Sequence, residues 1–260
     1  MTQGHEALRG LTVLVTRPAG QGQDLSRLMS DSGAGVVHLP LLEIQALADP
    51  APAKARLQGL RDCDLAIFVS RNAVDQADAL AGGQLSQWSR DTEVASIGRA
   101  TSAALARARI RVSLEAPPPF NSESLLGILE DRDLHGWRIL IIRGVGGREA
   151  LGQALTRRGA ELEYVEVYRR VAPSYAPDRI QAVLGDGVVD LITITSAEAL
   201  QNLLSLAAAA GIALSRQPVL VASQRIAELA RRSGLEEIQV AQDATDPAMY
   251  EAVLSWATQT

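Results

Sequence analysis

Six times along the chain a short, uninterrupted apolar run gives way to a stretch with helical periodicity. Leu11–Thr16 (LTVLVT) leads through Pro18 and Gly20 into a helix around Asp24–Ser32 that stops at Gly33. Leu65–Ser70 (LAIFVS) precedes a helix from Asn72, and Val94–Ile97 precedes Arg99–Arg109. Arg138–Ile142 (RILII) leads into Arg148–Arg158, closed by Gly159. Leu191–Thr195 (LITIT) leads into Ala197–Ala210, and Pro218–Ala222 into Arg225–Arg232, closed by Gly234. Strands without polar alternation are covered on both faces, which is the mark of a parallel sheet with helical crossovers. Glycines just past the helices fit C-terminal caps. The pattern predicts an α/β fold.

The units also repeat. Aligning LVTRPAGQGQDLSRLMSDSGAGV with IIRGVGGREALGQALTRRGAEL puts Arg17 and Arg143 at an offset of 126. Aligning IFVSRNAV with TITSAEAL puts Ser70 and Ser196 at the same offset. ASIGRATSAALAR matches VLVASQRIAELAR within a residue or two of it. A constant offset across three strand–turn–helix units is the signature of an internal repeat, here two similar domains of about 126 residues.

Two segments break the pattern. Val36–Leu47 is long, extended and interrupted by Pro40. Glu161–Ala172 alternates, with Leu162, Tyr164, Val165 and Val167 set against Glu161, Glu163 and Glu166, as in a half-exposed antiparallel strand. Each follows the first strand–helix unit of its own copy. They are expected to pair as a two-stranded ladder while the chain leaves domain 1, builds domain 2 and returns. Domain 1 is then 1–35 with 173–260, domain 2 is 48–160, and the linker strands are 36–47 and 161–172.

Composition narrows the chemistry by absences. Of 260 residues 47 % are hydrophobic and 21 % charged, the balance of a globular protein with a full core. The net charge of −5 gives no support to nucleic-acid binding. Cys63 is the only cysteine, and His5, His38 and His135 are far apart, so no metal-ligand spacing or disulfide is present. Lys54 is the only lysine among 25 basic residues, which argues against Schiff-base or phosphate-loop lysine chemistry. The polar N-terminus lacks a signal-peptide core, and the apolar run Leu203–Leu214 is too short to span a bilayer. No membrane association and a reduced cytoplasmic location are expected.

In open α/β sheets ligands bind at the carboxyl ends of the strands. The residues expected there are Thr16 and Arg17, then Ser70, Arg71 and Asn72, then Gly98, Arg99 and Thr101. The second copy supplies Arg143, Gly144, Gly146 and Arg148, then Thr195 and Ser196, then Ser223 and Arg225. Helix N-termini, glycine turns and arginines together suit anions, carboxylates above all. Each hydroxyl has an alternative reading as an ordinary N-cap. Gly144-Val145-Gly146-Gly147 is neither a dinucleotide fingerprint, because Glu149 stands where glycine is needed, nor a phosphate loop. No histidine falls in these loops, so no Ser–His–Asp arrangement can be assembled.

The chain resembles the bacterial type of the uroporphyrinogen-III synthase family along essentially its whole length. The matching pieces are LVTRP (14–18), PLLEI (40–44), IGRAT (97–101), IIRGVGGREALGQALTRRGAELEYVEVYRR (141–170), TSAEALQNL (195–203) and VASQRIAELAR (221–231). The resemblance implies two flavodoxin-like α/β domains joined by a β-ladder hinge. It implies an enzyme that closes linear hydroxymethylbilane, an octacarboxylate, to uroporphyrinogen III in the cleft between the domains. Water is lost and ring D is inverted through a spiro intermediate. It further implies no cofactor or metal, a monomer, and transient contact with the preceding pathway enzyme. Tyr168 is the residue that the resemblance marks as catalytic, as hydrogen-bond donor to the departing hydroxyl, and Thr101 is marked as a substrate contact. An alternative is a two-lobed binding or regulatory protein for an anionic small molecule, without catalysis.

Overall fold

The computed structural model describes residues 6–185 and 187–259, so His5 lies outside the described residues. In chain order the elements are β1 (Thr12–Val15), α1 (Gln23–Asp31), β2 (Gly35–His38), β3 (Glu43–Gln45) and α2 (Ala51–Gln58), followed by a 3₁₀ turn (Gly59–Asp62). Then come β4 (Leu65–Phe68), α3 (Arg71–Leu80), α4 (Leu85–Trp88), β5 (Glu93–Ser96), α5 (Arg99–Arg107), β6 (Leu114–Glu115) and α6 (Ser122–Ile128). Next are β7 (Arg138–Gly144), α7 (Ala150–Arg157), β8 (Glu161–Val171), α8 (Pro177–Leu184), β9 (Leu191–Ile194) and α9 (Ala197–Ala209). The chain finishes with β10 (Val219–Val221), α10 (Gln224–Arg232), β11 (Ile238–Val240) and α11 (Asp246–Ala257). All six strand–helix units read from the apolar pattern are present.

The chain divides into two compact units. One takes the chain up to Glu43 and again from Val171, and the other spans Ile44–Arg170. The first holds a five-stranded sheet in the order β11-β10-β9-β1-β2, parallel throughout. The second holds a six-stranded sheet in the order β3-β8-β7-β4-β5-β6, in which the pairings from β8 to β6 are parallel. Thr12, Gly35, Leu65 and Glu93 begin strands whose counterparts begin at Arg138, Glu161, Leu191 and Val219, each 126 residues later. The order β2-β1-β9-β10-β11 is therefore the same arrangement as β8-β7-β4-β5-β6, the 2-1-3-4-5 order of flavodoxin-like sheets.

The structural unit is not the sequence repeat. Val13 lies opposite Leu191 and Leu65 opposite Ile139, so each sheet mixes the copies: the five-stranded sheet takes two strands from the first copy and three from the second, the six-stranded sheet four from the first and two from the second. Both copies must fold together, because neither contains a complete sheet.

Burial explains why these runs are strands. In the first unit Leu14, Val15, Leu25, Met29, Leu200 and Val253 pack into one core. In the second, neighbouring residues face opposite layers: Phe68 joins Val74, Ala77 and Leu105, whereas Ile67 joins Leu125, Leu151 and Leu155. Each such side chain contributes about 1.5–3 kcal/mol on burial.

The segment 36–47 divides. Gly35–His38 is the edge strand β2 of the five-stranded sheet, and Glu43–Gln45 is β3, hydrogen-bonded to β8 in the six-stranded sheet. The segment 161–172 meets the segment 36–47 through the β3–β8 pairing, as the expected ladder requires. It is β8, and its pairing with β7 is parallel. The alternation reflects partial cover at a sheet's margin. Cys63 is buried, its thiol donates to the Gly59 carbonyl at 3.2 Å, and burial pushes its pKa up. It packs rather than reacts. No described helix is long and apolar enough to cross a membrane.

Candidate active site at the strand ends

In the second unit β4, β5 and β7 deliver their carboxyl ends to the N-termini of α3, α5 and α7. Ser70 is the N-cap of α3, and its Oγ accepts the Ala73 N–H at 3.1 Å. The same Oγ stands 3.2 Å from the hydroxyl of Tyr168, which is 2 % exposed. Arg71 pairs with Asp75 one turn on, and Asn72 lies half-buried in the same turn. Gly98 caps α5 without a side chain, leaving the Thr101 N–H to bond the Gly98 carbonyl. The Thr101 side chain is buried. Arg99 is exposed and lies over the ring of Phe120 at 5.3 Å. Phe120 also approaches Gly98, so the Pro117–Phe120 stretch covers this turn. Pattern reading missed it. The signal was the run of three prolines followed by an aromatic.

The glycine loop after β7 is shaped by the protein's own side chains. A Cβ at Gly144 would stand 2.7 Å from the Tyr168 ring, and one at Gly147 would stand 3.0 Å from Arg143 Cδ. Gly146 adopts φ 70°, where glycine is favoured. Arg143, 7 % exposed, donates to the carbonyls of Gly147 (2.9 Å) and Arg148 (3.3 Å) and pairs with Glu166 at 3.1 Å. Its guanidinium lies 3.7 Å from the centre of the Tyr164 ring. Arg148 is exposed, without a side-chain ion pair among the described residues.

In the first unit Thr16 is buried, and its hydroxyl donates to the Thr193 carbonyl at 2.5 Å. Arg17 turns inward as Arg143 does. It pairs with Asp246 at 2.7 Å and donates to the Ala244 carbonyl at 2.6 Å, tying the β1–α1 turn to the start of α11. Ser196 caps α9 and Ser223 caps α10, accepting N–H groups at 3.0 and 3.4 Å. Thr195 is half-buried beside Ser196, and Arg225 is exposed. The N-cap reading of the serines therefore holds for all three.

The equivalence of Ser70 and Ser196 gives a prediction. Loss of an N-cap costs about 1 kcal/mol. Ser70→Ala also strands the buried Tyr168 hydroxyl, at about 1–3 kcal/mol more. Urea unfolding should show Ser70→Ala as the more destabilised of the two. Equal losses would mean that Tyr168 draws nothing from Ser70.

Among the described residues no group of His, Cys, Asp and Glu is placed to hold a metal ion. The strand ends of each unit instead carry hydroxyls, helix N-termini and arginines, some exposed and some turned inward.

A model of the family Uroporphyrinogen-III synthase HemD (HEM4) matches residues 23–251. The chain is 34 % identical to the uroporphyrinogen-III synthase of Escherichia coli over 245 residues, covering 94 % of this chain and 100 % of that protein. It is 36 % identical to the synthase of Salmonella typhimurium over 253 residues, again covering 94 % and 100 %. Two solved structures share the fold. They are a mutant uroporphyrinogen III synthase from Thermus thermophilus (TM-score 0.63, 18 % identity, 96 % and 99 % covered) and the synthetase from Helicobacter pylori (TM-score 0.60, 14 % identity, 95 % and 99 % covered). With strand order, repeat and strand-end residues in place, this relationship over nearly the full length shows that the chain belongs to the uroporphyrinogen-III synthase family.

Proposed function

We propose that the protein is a uroporphyrinogen-III synthase that closes linear hydroxymethylbilane with loss of water and inversion of ring D. The observation that carries this reading is the relationship to the named synthases along 94 % of the chain. The same relationship favours an enzyme over a binding module.

The chemistry asks little acid–base force of the protein. Loss of the ring A hydroxyl gives an azafulvene cation, and the substituted carbon of ring D attacks it to form a spiro intermediate. That intermediate fragments and recloses with ring D reversed. Unguided closure gives the symmetric isomer, so positioning supplies most of the catalysis.

The exposed Arg99, Arg148 and Arg225 are the proposed carboxylate partners, with the N-terminal amides of α3, α5, α9 and α10. Arg17 and Arg143 have internal partners and are assigned to shaping the loops. Tyr168 is the proposed hydrogen-bond donor to the departing hydroxyl. Its ring is buried and its hydroxyl meets Ser70, so it reaches substrate directly once its cover shifts, or through Ser70 Oγ. The reading includes a monomer in the reduced cytoplasm, needing no cofactor and meeting the preceding enzyme only transiently.

The test is the isomer assay. Purified protein given hydroxymethylbilane without metal or nucleotide should yield the type III isomer. A product mixture equal to the enzyme-free control would overturn the reading.

A further inference from the structure

We propose that the Arg143–Glu166 ion pair is a positioning device that aims the Tyr168 hydroxyl by holding a β-bulge. This rests on the synthase reading and on Tyr168 acting there.

Strands β7 and β8 run in regular parallel register from Arg138 opposite Glu161 to Arg143 opposite Glu166. The register then slips by one, and Gly144 lies opposite Tyr168 with Val167 as the extra residue. A slip of one residue moves a side chain to the other face of a sheet. Before the slip Leu162 and Tyr164 pack on the layer of Leu151 and Leu155, while Val165 and Val167 pack on the layer of Phe68 and Val74. Regular alternation would put Tyr168 with Tyr164 and Glu166. It lies instead with Val165 and Val167, 3.2 Å from Ser70. The bulge is what brings the hydroxyl to the strand-end serine.

The bulge is pinned on both sides. Beyond it the Val145 N–H donates to the Tyr168 carbonyl at 2.8 Å. Before it Glu166 Oε1 accepts from Arg143 at 3.1 Å and from the Gly146 N–H at 3.3 Å, joining the last regular pair to the loop. Arg143 is locked in turn by the Gly147 and Arg148 carbonyls and the Tyr164 ring. Gly144 leaves the space that the turned Tyr168 ring fills.

The other copy supplies an internal comparison. Its equivalent residues are Arg17, Pro40 and Leu42, in place of Arg143, Glu166 and Tyr168. Arg17 takes its carboxylate from α11 rather than from the neighbouring strand. The cross-strand pair occurs where there is a tyrosine to aim.

The test compares the wild type, Glu166→Gln, Glu166→Asp, Tyr168→Phe and the double variant Glu166→Gln/Tyr168→Phe. For each, kcat, KM, the type III fraction and the folded state by circular dichroism are measured. Glu166→Gln should lower kcat by roughly 10- to 100-fold, the scale of a small misplacement, and lower the type III fraction while KM stays within about twofold. Glu166→Asp should recover most of the loss. On the Tyr168→Phe background Glu166→Gln should cost nothing further, because the group it aims is gone. Independent, additive losses, or Tyr168→Phe or Glu166→Gln at wild-type kcat, would overturn the proposal. If Glu166→Gln does not fold, Arg143→Lys replaces it in the same cycle and must show the same dependence on Tyr168. A wild type that forms no type III isomer fails the synthase reading itself. An active wild type with additive losses fails only the positioning role.

Discussion

Tyr168→Phe should lower kcat by about 100-fold or more, within the 10²–10⁴ range of a positioned proton or hydrogen-bond donor. The ring is buried and phenylalanine keeps its volume, so packing is retained. The lost hydrogen bond to Ser70 costs only about 0.5–1.5 kcal/mol, too little to unfold a domain of ordinary stability. The measurement is steady-state turnover of hydroxymethylbilane with separation of the type I and type III isomers. The type III fraction should fall toward that of the unguided reaction, because slower assisted loss of hydroxide lets spontaneous closure compete. Wild-type turnover would remove the Tyr168 hydroxyl from the mechanism.

Gly144→Ala should destabilise the second unit by about 1–3 kcal/mol, the cost of forcing extra volume into a packed core. The new methyl would lie 2.7 Å from two carbons of the Tyr168 ring, which is itself buried. Gly127→Ala is the matched control. Gly127 sits in α6 with no atom within 4 Å of its Cβ position, and alanine there should stabilise by about 0.5–1 kcal/mol. Denaturant midpoints with equal m-values test the pair. Similar effects of the two substitutions would show that the Tyr168 ring is not seated against Gly144. Gly144→Ala should also reduce the type III fraction, since Tyr168 must shift to make room.

The strand-end inventory was legible because local rules produce it. A serine after an apolar run and before a helical period is an N-cap, and Ser70, Ser196 and Ser223 all fill that role. The arginines were less legible. Arg17, Arg143 and Arg148 look alike in sequence, yet the first two are turned inward onto carboxylates and the third is exposed. Asp246 lies 229 positions from Arg17, and Glu166 lies 23 from Arg143, separations that only a register or a packed sheet can close. In the glycine loop Tyr168 and Arg143 occupy the space beside Gly144 and Gly147, which no local pattern announces, while the space beside Gly146 is open. Helix α2, with only Ala53 and Leu57 buried, and the short edge strands β6 and β11 carry too few apolar positions to stand out.

By itself the sequence determined the alternation of strand and helix, the twofold repeat and the hydroxyl-rich strand ends, because each rests on contacts within a few residues or on direct self-comparison. On the exchange of strands the sequence held grounds for an expectation, 1–35 joined with 173–260, and the tertiary structure supplied the pairing itself. Strands of the two copies are nearly interchangeable in pattern, and the pairing of β1 with β9 and of β4 with β7 selects the exchanged arrangement. Tertiary structure alone decided where Tyr168 faces. Alternation assigns that residue to the side of Glu166, and a single extra residue in β8 moves it to the side of Ser70. A bulge is set by what the neighbouring strand and loop can bond, here Arg143, Glu166 and a glycine without a side chain, and no local pattern in β8 encodes that partner.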